Sequence, residues 1–86
     1  MGSYSVQFKR SAEKDLRKID RTFLPAIVSK VQLLATDPRP PGARKLQGSE
    51  RSYRIRIGDY RVVYAVEDEI RVISIERIAH RKDVYR

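Results

Sequence analysis

The sequence predicts an α+β fold, in which two N-terminal helices pack on one face of an antiparallel sheet and a short tail follows. Three observations predict it: a short alternating segment near the N-terminus, two amphipathic segments after it, and long alternating segments in the second half. A period of two is typical of half-buried strands, and a period of 3.6 is typical of helices. The order is β-α-α-β-β-β, so the helices cover one face of the sheet and leave the other bare.

The first half of the chain contains the first strand and both helices. Residues 4–8 alternate and predict the strand. A first helix is expected from Ser11, as its N-cap, to about Asp20. A second helix is expected from about Thr22 until Pro38 stops it, because the residue before a proline is displaced from the helical region. Its apolar residues recur at helical spacing: Leu24, Ile27, Val28, Val31 and Leu34.

The clearest strand pattern is a hairpin over residues 53–66, interrupted once by Gly58-Asp59. A two-residue loop that begins with Gly is typical of a tight turn, because Gly readily adopts the positive φ that the turn requires. This turn places Arg56 directly opposite Arg61. The register therefore separates an apolar face from a face that carries arginines.

The last strand is expected over residues 70–77, after an acidic turn. If that turn also has two residues, Ile73 and Ile75 join the apolar face. Arg77 then points to the core as well, unless a bulge redirects it. Residues 78–86 are expected to be a short polar tail that leaves the sheet beside the arginines.

The hairpin arginines, Arg54, Arg56 and Arg61, are candidate binding residues by their pattern alone. Like charges directly opposite each other destabilise a sheet, so this arrangement favours an anion between them. Guanidinium groups bind phosphate oxygens as a fork. The alternative is a solvated sheet face, with Glu50 or Glu76 nearby to neutralise the charge.

Length and composition limit the class of protein. We expect one domain over residues 1–86, with room for one sheet and one helical layer. The formal net charge of +8 favours nucleic acid or an acidic protein partner. The absence of cysteine excludes a disulfide framework and a thiolate metal site. No apolar run approaches the length of a membrane span, so we expect a cytoplasmic protein with no membrane contact.

Three segments carry a resemblance to a known family. They are Lys-Leu-Gln-Gly at 45–48, the basic hairpin at 53–64, and His-Arg-Lys-Asp-Val-Tyr at 80–85. With the element order, the likeness spans essentially the whole chain. The sequence resembles the RelE/ParE superfamily of toxins from type II toxin–antitoxin pairs. The basic hairpin and the terminal Val-Tyr resemble the RelE branch more than the ParE branch.

The resemblance implies a ribosome-dependent endoribonuclease that cuts messenger RNA in the decoding A site and stops translation. In such enzymes, which use no metal or other cofactor, the ribose 2′-hydroxyl attacks the adjacent phosphate, and the products are a 2′,3′-cyclic phosphate and a free 5′-hydroxyl. The implied partners are the ribosome, its mRNA and a RelB-like antitoxin, in a toxin–antitoxin hetero-oligomer. The chemistry needs cations around the phosphorane and groups that accept and donate protons.

The resemblance also assigns roles to residues. Arg61 matches the phosphate-stabilising arginine of the family. Arg54 and Arg56 fall where RelE proteins often have lysine, and because arginine stays protonated, they are expected to stabilise charge and not to transfer protons. His80 is the single histidine, a residue type suited to proton transfer, and Tyr85 aligns with a family tyrosine that would stack on a base or transfer a proton. The alternatives are an exposed histidine without function and a tyrosine that anchors the tail.

Four more basic residues are candidates for RNA contact: Arg44, Lys45, Arg77 and Arg81. Arg77 and Arg81 compete for one family position, and the sequence leaves both open. Two other function classes also stay open. One is a ParE-like toxin that poisons DNA gyrase as a protein-binding inhibitor, and the other is a degenerate toxin that only binds its antitoxin. The hairpin arginines and the His80/Tyr85 tail favour the nuclease.

Overall fold

A computed structural model of the chain describes the backbone of residues 3–84 and the side chains of residues 3–82. The elements in chain order are β1 (Ser5–Phe8), α1 (Arg10–Lys18), α2 (Leu24–Leu33), β2 (Arg44–Lys45), β3 (Ser52–Ile57), β4 (Tyr60–Glu67), β5 (Val72–His80) and α3 (Arg81–Val84). The predicted α+β class is confirmed, since α1 and α2 contribute their buried residues to the same core as one face of the sheet. None of the helices in residues 3–84 has the length and apolar character needed to cross a bilayer.

The sheet has five strands in the order β1-β5-β4-β3-β2, and it is mixed, not fully antiparallel as expected. β1 runs parallel to β5, with Phe8 opposite Ile75, whereas the other neighbours are antiparallel. The alternating pattern of a strand does not specify the direction of its neighbour. The additional strand β2 has two residues, too few to alternate, and lies in the connection rich in proline and glycine.

The hairpin between β3 and β4 has the predicted register. Arg56 pairs with Arg61, and Ile55 pairs with Val62. Gly58 in the turn has φ = +58°, the left-handed conformation for which glycine was expected. The apolar face of both strands is buried, and Val62 is fully inaccessible to solvent.

The turn between β4 and β5 is longer than expected. Glu67 pairs with Val72, so four residues form the turn, and Arg71 has a left-handed φ of +54°. The two extra residues leave the facing of the next strand unchanged, because side chains alternate with a period of two. Ile73 and Ile75 are therefore fully buried, as predicted.

A bulge in β5 changes where its C-terminal half points. Tyr64 pairs with Ile75 but Val63 pairs with Arg77, so Glu76 is the extra residue. The bulge turns Arg77 from the core side to the arginine-bearing face. The prediction that the tail leaves the sheet at residue 78 is also wrong, because β5 continues to His80 and residues 78–80 belong to the sheet.

Both helices begin or end at other residues than predicted. α1 begins at Arg10 and its N-cap is Lys9, while the hydroxyl of Ser11 donates to the carbonyl of Glu76 instead of capping the helix. The amide of Lys9 is still bonded to the carbonyl of Ile75 in the sheet, so the helix begins directly after that bond. α2 ends at Leu33 and not near residue 36. The predicted core residues Ile27, Val31 and Leu34 are each 1% exposed.

A polar network joins the loop after α2 to the β4–β5 turn. Arg39 Nη2 lies 2.7 Å from Asp68 Oδ2, and Arg39 Nε donates to the hydroxyl of Tyr53 at 3.0 Å. The hydroxyl of Tyr4 donates to Asp68 Oδ1 at 2.6 Å. The hydrogen bonds from Arg39 and Tyr4 lower the pKa of Asp68. The network therefore ties the residue before β1, strand β3 and both loops together at one end of the sheet.

We predict that Asp68→Asn lowers the melting temperature at pH 7 by about 2–5 °C and has a smaller effect at pH 2.5. Because the pKa of Asp68 is lowered by folding, its stabilising contribution is present above the unfolded value of 3.8 and is lost as the pH falls through the lower folded value. Circular-dichroism melts at both pH values measure this. Glu69→Gln, an exposed change in the same turn, is the control. An equal loss for Asp68→Asn at both pH values would contradict the role of the charge.

Candidate functional site

The bare face of the sheet carries a cavity of about 460 Å³ that we call the arginine pocket. It lies over β2, β3 and β4, on the side opposite the helices. Its lining residues are Pro41, Gly42, Arg44, Arg54, Ile55, Arg56 and Arg61. The structure thus brings four predicted site residues together around one cavity.

The strand registers explain why these arginines converge. Arg44 pairs with Arg54 across β2 and β3, and Arg56 pairs with Arg61 across β3 and β4. Paired side chains point to the same face, with Cβ atoms about 4.5–5.5 Å apart. The neighbour of Arg54 on β4 is Val63, whose short side chain leaves space for a ligand.

The electrostatics of the pocket favour an anion. Within residues 3–82, no carboxylate lies within 4 Å of Arg44, Arg54 or Arg56. Glu76, one of the two acids considered as neutralising partners, instead pairs with Lys9 at 3.2 Å. Arg61 is half-buried at the base of the group. A phosphate oxygen would meet several guanidinium donors here, in a setting that the sheet partly shields from water.

The structure distinguishes Arg77 from Arg81, the two arginines that compete for one family position in the sequence. The amide of Arg81 donates to the carbonyl of Asp59 at 2.7 Å, and its side chain lines a small cavity of about 60 Å³ together with Arg56 and Arg61. Arg77 points to the same face of the sheet but is held by Asp15, with Nε 3.0 Å from Oδ2. Arg81 therefore adjoins the arginine pocket, whereas Arg77 lies near the opposite edge of the sheet.

Lys45 and His80 do not join the pocket. Lys45 pairs with Tyr53, a residue packed against the core, and so points to the helix-bearing face. His80 follows Ala79, which pairs with Arg61, and therefore points to the face opposite Arg61. Tyr85 lies outside the described residues.

The His80 ring lies in an apolar cavity of about 220 Å³ on the helix side, beside Phe23 and Ile57. It meets the Tyr60 ring edge-on at 5.1 Å, and its Nδ1 accepts a hydrogen bond from the amide of Lys82 at 3.2 Å. Phe23 is 50% exposed. This aromatic group was not predicted, because the registers of β3 and β5 at the hairpin end determine it.

Two pocket residues, Pro41 and Gly42, were also missed. They form a wall beside Arg44, and Gly42 has φ = +94°, a conformation that suits glycine. The Pro-Pro-Gly sequence before Arg44 was a usable signal for a turn that leads into the site. Among residues 3–82, no group of three or more histidine and carboxylate side chains forms a metal-binding cluster.

The fold and the arginine pocket together define a small α+β protein with a basic sheet face. Residues 6–85 match the family described as "ParE toxin of type II toxin-antitoxin system, parDE". Toxin RelG of Mycobacterium tuberculosis is 32% identical over 84 residues, which cover 96% of this chain and 97% of RelG. The chain belongs to the RelE/ParE superfamily of type II toxin–antitoxin toxins.

Solved structures agree with this assignment. A chain of the toxin–antitoxin complex RelBE2 from M. tuberculosis superposes with a TM-score of 0.83 at 29% identity, over 93% of each chain. A chain of the archaeal RelE–RelB complex from Pyrococcus horikoshii has a TM-score of 0.81 at 28% identity, over 92% of this chain and 96% of that one. The predicted superfamily is confirmed, and these relatives carry RelE-type names while the matched family carries the ParE name.

We predict that sulfate stabilises the wild-type protein by occupying the arginine pocket. At ten times its dissociation constant, it should raise the melting temperature by about 6–11 °C over chloride of equal ionic strength. The double variant Arg54→Ala/Arg56→Ala should lose most of this shift. Calorimetric melts measure it. Arg17→Ala/Arg21→Ala, which removes the same charge from an exposed surface outside the pocket, is the control. Equal shifts in the two double variants would contradict the site.

Proposed function

We propose that this protein is the toxin of a RelBE-type pair and cleaves messenger RNA on the ribosome without a metal. The ribose 2′-hydroxyl attacks the adjacent phosphate and the bond from phosphorus to the 5′-oxygen breaks, which leaves a 2′,3′-cyclic phosphate and a free 5′-hydroxyl. The observation that carries the proposal is the pairing of Arg56 with Arg61 beside Arg54, around a cavity on the bare face of the sheet. Messenger RNA supplies the phosphodiester that such a cavity binds, and family membership supports the assignment.

The proposed roles follow from where charge develops. Attack by the 2′-oxygen converts a singly charged phosphodiester to a phosphorane with more negative charge, so cations at the phosphate stabilise the transition state more than the ground state. We assign to Arg61, which is half-buried in the pocket, the contact with the phosphorane. Arg54 and Arg56 bind its outer oxygens, and Arg44 and Arg81 hold flanking phosphates at either side.

Proton transfer has to come from other groups, because a guanidinium does not deprotonate. His80 and Tyr85 stay the predicted candidates. For His80, the role requires the end of β5 to rearrange when RNA binds, since its ring faces the helix layer beside Tyr60. A translating ribosome can supply such a rearrangement through its own contacts, which is consistent with an activity that depends on the ribosome.

The proposed partner is a RelB-like antitoxin in a toxin–antitoxin hetero-oligomer, because the structural neighbours were solved as RelBE2 and RelE–RelB complexes. The arginine pocket suits an acidic segment of such a partner as well as RNA, since both present anionic oxygens. With ribosomes and antitoxin as partners, the proposed location is the cytoplasm.

We predict that Arg61→Ala lowers mRNA cleavage on programmed ribosomes by about 10²–10³-fold, because one preformed stabiliser of the transition state is lost. RNA ends are mapped by primer extension, and antitoxin binding is expected to persist. Arg71→Ala, an exposed arginine in the β4–β5 turn, is the control and should cleave normally. If the alanine variant fails to fold, Arg61→Lys replaces it, because lysine keeps the positive charge but lacks the forked N–H donors of arginine.

If Arg61→Ala cleaved mRNA at the wild-type rate, the role proposed for Arg61 would be wrong. A DNA gyrase supercoiling assay is run in parallel, because the matched family carries the ParE name. Gyrase inhibition without cleavage by the wild-type protein would replace the nuclease with the alternative function.

We also predict that His80→Ala slows cleavage and flattens its dependence on pH, because the imidazole is the proposed proton carrier. Single-turnover rates between pH 5.5 and 8.5 on programmed ribosomes measure this. Tyr60→Phe, which keeps the ring that His80 contacts, is the control for packing. An unchanged pH profile for His80→Ala would leave the residue a purely structural role beside Tyr60.

A further inference from the structure

The fold holds one buried charged residue among those described, Asp15 on α1, which is 8% exposed. Its Oδ2 accepts the backbone amide of Ile78 at 2.8 Å and Nε of Arg77 at 3.0 Å. A carboxylate is costly to bury unless hydrogen bonds and a cation compensate it. Asp15 has both, from two consecutive residues of β5.

The position of Asp15 follows from where β1 ends. The last β1 pair is Phe8 with Ile75, and the amide of Lys9 still bonds to the carbonyl of Ile75. The chain then turns into α1, so the outer edge of β5 beyond this point has no strand neighbour. The carboxylate of Asp15 takes the place of a strand at the amide of Ile78.

Residues at the N-terminal end of α1 hold the β5 bulge in place. Ser11 Oγ donates to the carbonyl of Glu76 at 2.7 Å, and Lys9 Nζ pairs with the carboxylate of Glu76 at 3.2 Å. Because the bulge is fixed, Arg77 stays on the arginine-bearing face, in one cross-strand row with Val63 and Arg54. Two strand spacings, about 10 Å, separate the backbones of Arg77 and Arg54.

The ion pair between Arg77 and Asp15 leaves most N–H donors of the Arg77 guanidinium available to a ligand. A guanidinium carries five N–H donors in a rigid fork, and Asp15 engages Nε alone. The Arg77 side chain is 61% exposed, so its remaining donors are accessible. Since Asp15 already fixes one atom of the guanidinium, less conformational freedom is lost when an anion binds.

We propose that Arg77 forms a second phosphate subsite, separate from the arginine pocket, and that Asp15 is its positioning residue. The ligand is a further backbone phosphate of the bound RNA strand, beyond the phosphates assigned to Arg44, Arg61 and Arg81. This inference rests on the proposed function for the identity of the strand. The geometry of the subsite comes from the bulge and the buried carboxylate.

Asp15→Asn separates this proposal from simple electrostatics by the sign of its effect. Removing a negative charge from a basic protein tightens binding of a polyanion when only net charge matters. If Asp15 positions Arg77, the same substitution weakens binding, because Arg77 loses the partner that fixes its fork. Asparagine retains an oxygen that can accept the amide of Ile78.

The experiment measures fluorescence anisotropy of a short 2′-O-methyl RNA, which cannot be cleaved, between 50 and 200 mM salt. Asp15→Asn and Arg77→Ala should each bind about three- to tenfold more weakly at 100 mM salt, and the double variant should bind no worse than Arg77→Ala. Arg77→Ala should reduce the slope of log K against log salt by about 0.7, the value for one phosphate of a single strand.

Glu13→Gln is the matched control, an exposed charge removal on the same helix that should leave binding unchanged or slightly tighter. Tighter binding by Asp15→Asn, or an unchanged salt slope for Arg77→Ala, overturns the subsite, as does absence of salt-dependent binding by the wild-type protein. If Asp15→Asn does not fold, Arg77→Lys decides: affinity equal to wild type overturns the positioning role. Because neither ribosome nor cleavage is involved, failure of the proposed nuclease function alone would leave these results unaffected.

Discussion

The hydrogen-bonded pairing of β3 with β4 around the Gly58-Asp59 turn determines the rest of this molecule. It places Ile55 and Val62 in the core and Arg56 and Arg61 together on the opposite face. A slip of one residue would bury guanidinium groups and expose isoleucines, so the core fixes the register strongly. The arginine pair, unfavourable in itself, is therefore held together by apolar burial on the other side of the same strands.

This coupling has a consequence for stability and function. Like charges that face each other across β3 and β4 weaken a sheet, and an anion bound between them would offset that cost. Any phosphate or acidic segment that binds the folded state alone therefore stabilises the fold by mass action. In the proposed function, RNA and an acidic antitoxin segment both present anionic oxygens, so either one would relieve this repulsion.

The hairpin, the buried isoleucines and the converging arginines could be predicted because local alternation determines them. Long-range pairings were beyond that reasoning. The direction of β1 against β5, the two-residue β2 and the bulge at Glu76 all depend on neighbours distant in sequence. His80 shows the effect most clearly: its place in the sequence suggested the arginine cluster, but the register across β4 and β5 directs its ring to the helix layer.

An arginine-only pocket also limits the chemistry. Because guanidinium groups stabilise charge and do not exchange protons at working pH, the described pocket can bind and polarise a phosphodiester but cannot complete its cleavage. In the proposed function, proton transfer therefore comes from groups outside the pocket, which are brought in by a rearrangement at the end of β5 or by the ribosome. Under that proposal, RNA bound in the pocket alone stays uncut until such a group reaches the 2′-hydroxyl, which accounts for the proposed dependence on the ribosome.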